Sequence, residues 1–506
     1  MTAVEGSTER SLSDRRPVLI GLMLTMGLAA VDTTIVATVV PSIVRDLGGF
    51  SLIAWVFSVY VLAQAVTIPV YGKLADLYGR KPVLVVGATL FLTGSVLSGA
   101  AWSMLALIAF RGLQGLGAGA IQATVTTVAG DLYNLEERGR VQGWLSSVWG
   151  ISAVVGPAIG GLLAEYATWR WIFYLNVPVG LAALWMVTRH LHEQVVHRRH
   201  RLDIAGTLLL LTGVGLVILG LLAGGVDWPW LSGPSVGVFA VAAAALAAFV
   251  RQERRVTEPM MPPWVFGRRL LVGANLSAAG IGLLTIGLTT FLPTYTQSVE
   301  GAGPITAGFV LAVMSISWPL ASAFSSRLYL RIGFRDTALI GAVTCVASGL
   351  IFTLLGSGAA PWESAMGSLV MGAGLGLLST PIVVGLQSVV GWDRRGTVTG
   401  ANMFTRQLGQ ALGAAVFGSI ANATLIGYFH DAPARLAGRL PANVNAASKS
   451  LAGGSTGDPA VTSYVQHGLY LATHHVFVGL IAVAVAAALV LLLAPRRFPR
   501  LFETAE

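Results

Sequence analysis

The stretch GKLADLYGRK, residues 72 to 81, places four charges in ten residues between two long apolar runs centred near residues 62 and 92. A spanning helix needs about 20 mainly apolar residues, and both runs supply them. Gly72 and Gly79 allow close backbone approach and a tight turn. Lys73, Arg80 and Lys81 suit a face lined by lipid phosphates. Asp76 has the opposite sign to these neighbours and calls for a partner. The N-terminus of a helix elsewhere in the chain, where the dipole favours an anion, would provide one. Spacing alone fits equally a solvated turn whose charges only set topology.

Working outward, the 506-residue chain is 55% hydrophobic and 11% charged, against about 25% charged in an ordinary soluble protein. Fourteen apolar segments are expected, centred near residues 29, 62, 92, 116, 151, 180, 213, 242, 283, 314, 345, 375, 410 and 483. In lipid the backbone must satisfy its own polar groups, so these are helices. If the N-terminus is cytoplasmic, 25 basic residues fall on cytoplasmic segments and five outside, with Arg111 and Arg406 left within spans. The positive-inside rule then places both termini in the cytoplasm. Val18 begins a first span too long for a signal-peptide core, so it is expected to stay. Arginine supplies 29 of the 32 basic residues, a bias that suggests a high-GC bacterial genome and hence a bacterial inner membrane. The single cysteine, Cys345, excludes an internal disulfide framework.

The expected fold is an all-α integral membrane protein: two six-helix bundles plus two extra central helices. Residues 1–17 form a cytoplasmic tail and 18–188 the first bundle. Residues 189–255 are a cytoplasmic loop and the extra helices. Residues 256–494 form the second bundle, with an external loop over about 427–468, and 495–506 a second tail. SRLYLRIGFR, 326 to 335, repeats the 72–81 pattern faintly but has Leu330 where Asp76 stands. Repeated halves are a feature of transporters.

Inside the spans, polar groups are few. Asp32 lies in GLAAVDTTIVATVVPS, residues 27 to 42. At about 1.5 Å per residue from Val18 it sits roughly 21 Å deep, where a charge costs about 2.5–3.5 kcal/mol. Desolvation raises a carboxylate's pKa and a nearby cation lowers it, so such a group can load and release a proton. Arg406, about 16 Å deep from the cytoplasmic side, is the first choice of cation, and Arg111 the second. A static buried ion pair is the plainer alternative. RGLQGLGAGA, 111 to 120, offers Gly115 and Gly119 as a small-residue packing face, with Arg111 and Gln114 as its polar members. In GPAIGG, 156 to 161, Pro157 removes a backbone donor, while Gly156, Gly160 and Gly161 admit a close neighbour.

The 72–81 loop resembles the signature loop of the major facilitator superfamily, and GPAIGG resembles the motif marking its antiporters. AWVFSVYVLAQAVTIPVYG (54–72), TWRWIFYLNVPVG (168–180), FLPTYTQSVEGAGPITAG (291–308) and NMFTRQLGQALGAAVFG (402–418) are similar to stretches of one branch, the fourteen-helix drug:proton antiporter family. The likeness runs from about Leu28 to Gly418. Ala37, where that family often has Asn, and the degenerate second loop depart from it. The resemblance implies proton-coupled export of hydrophobic, amphipathic or cationic compounds, with protons as the coupling ion and no other cofactor. It gives Asp32, Arg406 and Arg111 to proton coupling. It gives Gly72, Asp76, Gly79, Arg80, Gly156, Pro157, Gly160 and Gly161 to conformational gating. Candidate substrate contacts are Trp55, Tyr60, Gln64, Gln114, Gln122, Trp149, Tyr295, Gln297, Trp318, Asn402 and Gln410. Expected partners are membrane lipids and small hydrophobic or cationic substrates, with no nucleic acid, and the protein is expected to be monomeric. Export or flipping of a lipid-like or endogenous metabolite shares every motif.

Other chemistry is not expected. His192 and His197 in HLHEQVVHRRH are five apart, so they do not share a helix face as zinc-protease histidines four apart do. His474 and His475 fall at the outer edge of the last span. No G-x-x-x-x-G-K-[ST] loop is present, which argues against ATP as energy source. Isolated acids without a cluster at membrane depth argue against an embedded enzyme.

Overall fold

The computed structural model describes residues 12–47, 53–191, 193, 203–223, 228–256, 259, 262–356, 358–433, 436, 440–441 and 459–496. His192, His197 and most of the expected external loop lie outside these residues, as do parts of both tails. The long helices are α1 (Leu12–Leu47), α2 (Ile53–Tyr78), α3 (Arg80–Gly99), α4 (Met104–Leu132), α5 (Leu135–Tyr166), α6 (Asn176–His190), α7 (Ile204–Ala223) and α8 (Gly233–Glu253). They continue with α9 (Arg269–Ser298), α10 (Pro304–Ile332), α11 (Phe334–Leu354), α12 (Pro361–Ser388), α13 (Arg395–His430) and α14 (Pro459–Leu493). Among the described residues, twelve helices are long and apolar enough to cross a membrane. The two outside that number are α5 and α7, both with side chains outside the described residues; α7 offers the shorter apolar stretch Ala205–Val217. All fourteen expected helices are thus present, twelve of them meeting both criteria among the described residues.

Local signals set several boundaries. Asn134 and Glu137 form a capping box at the start of α5, each side chain accepting the other's backbone N–H at 2.9 and 3.1 Å. Gly79 and Gly333, at matching places in the two similar loops, adopt φ of 93° and 92°, a region open to glycine and closed to most other residues. The faint repeat is thus a repeat of backbone geometry, with two helices meeting almost end to end across one left-handed glycine.

Two apolar cores follow the two halves. One joins α1, α3, α4, α5 and α6 around Leu22, Phe91 and Ile121. The other joins α9 to α14 around Leu284, Phe352 and Phe477. The extra pair packs at the junction, where Leu210 and Val214 of α7 and Phe249 of α8 meet α2 and α13. The outer side of α8 is largely exposed, as lipid contact requires.

The start of α1 and the end of α14 lie on one face, called here the termini face: Arg15 donates to the Leu132 carbonyl at the end of α4 at 3.0 Å, Tyr329 near the end of α10 reaches the Leu135 carbonyl beside it, and Arg335 at the start of α11 donates to the Ala494 carbonyl at 3.4 Å. Exposed Arg16 and Arg251 lie toward this face, and Asp431, just past α13, toward the other. In a Cys345→Ala background, cysteines at 16 and 251 are expected to react with an impermeant maleimide from one side of the membrane and a cysteine at 431 from the other. Reaction of all three from the same side would break this arrangement.

Candidate functional site

The halves are latched at the termini face. Asp76, at the end of α2, is 2% exposed at its side chain. Its carboxylate accepts the backbone N–H of Gly396 at 2.8 Å, the N–H of Thr397 at 2.6 Å and the Thr397 hydroxyl at 2.8 Å. These are orphan donors of the first turn of α13, where the dipole favours an anion. Asp76 therefore sits on a helix N-terminus of the other half, and is not a solvated turn residue.

Arg80 completes the latch. Its Nη2 donates to Asp76 at 2.9 Å and to the Trp392 carbonyl at 2.5 Å, and its Nε donates to Asp131 at 2.9 Å. Its guanidinium lies 3.7 Å over the Trp392 ring. Asp131 in turn accepts from Arg395 at 2.8 Å. Glu193 accepts the backbone N–H groups of Arg80 and Lys81, both at 2.9 Å, and so caps α3. Two acids of the first half, Asp76 and Asp131, thereby hold the opening of α13, and the arginines between them neutralise the buried charge.

Small residues let the backbones meet. A Cβ at Gly72 would stand 2.5 Å from the Gly396 carbonyl oxygen and 3.1 Å from Gly400 Cα. Gly72→Ala is therefore expected to push α2 from α13. Overpacking costs about 1–3 kcal/mol, about five- to 150-fold in the ratio of latched to unlatched forms. Double electron–electron resonance between labels on α2 and α13 reads the change; an unmoved distance distribution would show that the seam has slack. On the other side of the junction, Gly139, Gly143 and Gly150 of α5 lie against Ser326, Ala323 and Ser315 of α10. The Tyr329 hydroxyl donates to the Leu135 carbonyl at 2.6 Å.

A second cluster lies deep in the first half. Asp32 of α1 is fully buried and Arg111 of α4 is 1% exposed. Arg111 Nη1 donates to Asp32 Oδ2 and to Gln114 Oε1, the latter at 2.8 Å. Gln114 Nε2 donates to Asp32 Oδ1 at 2.8 Å, and Asn176 of α6 donates to the same oxygen at 3.4 Å. Asn176 also donates to Ser95 at 2.9 Å, which ties α3 to the cluster. The Tyr60 ring lies 4.1 Å from the Arg111 guanidinium, a cation–π seat.

The partner of Asp32 is thus Arg111, which corrects the preference for Arg406. Equal depth fixes one coordinate; the face of the helix fixes the other. Asp32 is about 9 Å from the far side of a roughly 30 Å core. Arg111, seven residues into α4 from that side, is about 10 Å deep. Arg406 is in the second half, facing a cavity lined in part by Gln142, Ser146, Trp318, Ser379 and Asn402.

The expected substrate contacts scatter. Trp318 and Asn402 line that cavity. Tyr60 and Gln114 belong instead to the Asp32 cluster. Tyr295 donates its hydroxyl to the Gly356 carbonyl at 2.9 Å and sets its ring 5.6 Å from Phe477, so it is core of the second half and not a cavity wall. Gln64 and Gln122 are buried, and Gln122 Oε1 lacks a partner among the described residues. Trp55, Trp149, Gln297 and Gln410 are half-buried. At the helix 156–161 motif, a Cβ on Gly156 would collide with Thr34 Oγ1 of α1, and Gly160 is buried. The surroundings of Pro157 and Gly161 lie outside the described residues. No group of three metal-ligating side chains is present among the described residues.

Asn176, Asp131, Glu193, Arg395 and Trp392 escape the sequence reading. Asp131 and Arg395 carried a signal, since both stand at span ends on the expected cytoplasmic side. Asn176, two residues after Tyr174 in the stretch 168–180, carried none.

Comparison with known proteins agrees with this architecture. The sequence model of the Major Facilitator Superfamily matches residues 22–414. The chain is 31% identical over 512 residues to the multidrug transporter protein MdtP of Bacillus subtilis, covering 97% of this chain and 95% of that one. It is 33% identical over 415 residues to multidrug resistance protein 3 of the same organism, covering 82% and 81%. Efflux pump FUS6 of Gibberella moniliformis is 30% identical, covering 80% of this chain and 74% of its own. Among solved structures, human organic anion transporter MFSD10 superposes with a TM-score of 0.62 at 14% identity, over 94% of this chain and 99% of that one. The proton:xylose symporter XylE gives 0.61 at 13% identity, over 94% and 95%. At these identities the superpositions speak for the fold alone. With the family match spanning most of its length, the chain belongs to the major facilitator superfamily, as a transport protein of many membrane helices.

Proposed function

We propose that the protein exports hydrophobic, amphipathic or cationic compounds across a bacterial inner membrane in exchange for protons, with both termini in the cytoplasm. The observation that carries this reading is the fully buried Asp32 of α1, held by Arg111 and Gln114 of α4 and by Asn176 of α6. A buried acid within a span is a functional group by default. One whose partners sit on separate helices has an affinity for protons that depends on how those helices stand. The relatives described as multidrug transporters support the export of varied compounds. The basic termini face supports its cytoplasmic placement. The latch supplies the two-state element an alternating carrier needs: it holds the termini face shut and leaves the other face free to open.

The test uses purified protein in liposomes with a pH gradient and a panel of one neutral and one cationic fluorescent amphiphile. Uphill movement that stops when an ionophore collapses the gradient is expected. Movement indifferent to the ionophore would refute proton coupling.

A further inference from the structure

Arg406, half-buried within α13, is the intramembrane cation that the Asp32 cluster leaves out. Among the described residues its side chain makes no hydrogen bond and no ion pair, and its Nε is shut from solvent. It faces a cavity of about 40 Å³. One water needs about 10–15 Å³ of such space, so the void holds a few waters or a small polar headgroup. Asp32 cannot neutralise Arg406, because Arg111 already takes that carboxylate. No carboxylate lines the void among the described residues.

The rest of the wall is mixed: Ala278, Ile281, Val383 and Met403 are apolar, and Gln142, Ser146 and Ser379 supply polar groups. Ser379 accepts the Trp318 indole N–H at 3.2 Å, which leaves its own hydroxyl proton to point elsewhere. Gln142 and Ser146 reach the same void from α5 of the other half. Asn402 is anchored by donating to the Ala274 carbonyl at 3.1 Å. An unpaired guanidinium in a low-dielectric setting is costly, and a carboxylate in bidentate geometry is its best partner.

Resting on the export reading, the geometry points to Arg406 and this cavity as an anion subsite, which takes the carboxylate of an amphipathic organic anion between the two halves. The protein then carries organic acids as well as the neutral and cationic compounds proposed above. Binding brings Gln142 and Ser146 of one half and Arg406 of the other onto a single headgroup, so an acid would draw the halves together there. The same void would also suit an inorganic anion, and the experiment separates the two.

The probes are 1-naphthaleneacetate and its alcohol and amine counterparts, which share the aromatic body and differ in charge. Their binding to purified full-length protein is read by quenching of tryptophan fluorescence. The acid is expected to bind about tenfold or more tighter than the amine, ~1.4 kcal/mol. Arg406→Gln should remove that preference while alcohol binding persists, which shows the variant is folded, and Arg406→Lys should restore part of it. An unchanged preference in Arg406→Gln, or equal binding of all three probes to the native protein, would overturn the proposal. So would displacement of the acid by millimolar chloride with no benefit from the aromatic body, which would mark an inorganic-anion site. Gradient-driven export of the alcohol is measured in parallel. If it proceeds without acid selectivity, the subsite falls and the antiport reading stands. If the acid binds through Arg406 but no gradient drives export, the subsite stands and antiport falls.

Discussion

Asp76→Asn is expected to lose at least nine-tenths of transport while the protein inserts and folds. The carboxylate accepts three bonds from the first turn of α13 and one from Arg80. The amide keeps one acceptor oxygen and turns an NH2 group toward backbone donors. Loss of a bond to a charged group costs about 1.5–3 kcal/mol, and breaking a buried pair about 3–5. Even 3 kcal/mol shifts the latched-to-unlatched ratio by about 150-fold. Folding survives because Arg80 keeps Asp131, Trp392 and the Ala75 carbonyl as partners. The variant therefore rests with its termini face open. Spin-label distances between the ends of α2 and α13 should lengthen, and a compound on the far face should not be released. Native distances with native export would leave Asp76 without a gating role.

The latch was half legible in the sequence, as one of two equal readings, because its logic is local. One acid among three basic residues at a short turn needs a partner, and a helix N-terminus answers that need. The identity of the helix was not legible, since α13 begins more than 300 residues later and no spacing rule reaches that far. Helix order and the two-half plan were readable from apolar length and the placement of arginines, because lipid imposes both. Pairings within the membrane were not. Depth comes from the residue count, but a residue's facing depends on how each helix is rotated against its neighbours, and packing sets that. Arg406 illustrates the gap: its depth came within about 5 Å of that of Asp32, yet it faces the second half. The tyrosine at 295 illustrates another. An aromatic near a span end reads alike whether it lines a cavity or, as here, fills a core and bonds a loop carbonyl.

Asp32→Asn is expected to abolish uphill export driven by a pH gradient while leaving substrate exchange at equal pH. The amide nearly matches the carboxylate in shape and can still accept from Arg111 or Gln114, but it cannot take up a proton. Each proton crossing a one-unit gradient supplies about 1.36 kcal/mol, enough for about tenfold accumulation of one substrate molecule. Native protein in proteoliposomes should approach that ratio under one-to-one exchange, and the variant should settle at about one. Counterflow separates lost coupling from lost folding, because it needs binding and alternation but no proton. The neutralised site also leaves Arg111 as a buried charge without its acid, held by Gln114 Oε1, the Val56 carbonyl, the Tyr60 and Phe173 rings and at most one neutral amide oxygen. That imbalance should slow counterflow without stopping it, because the Tyr60 ring still shields the cation. If the variant accumulates substrate tenfold under the gradient, the proton travels by another group and Asp32 serves only to hold α1 against α4.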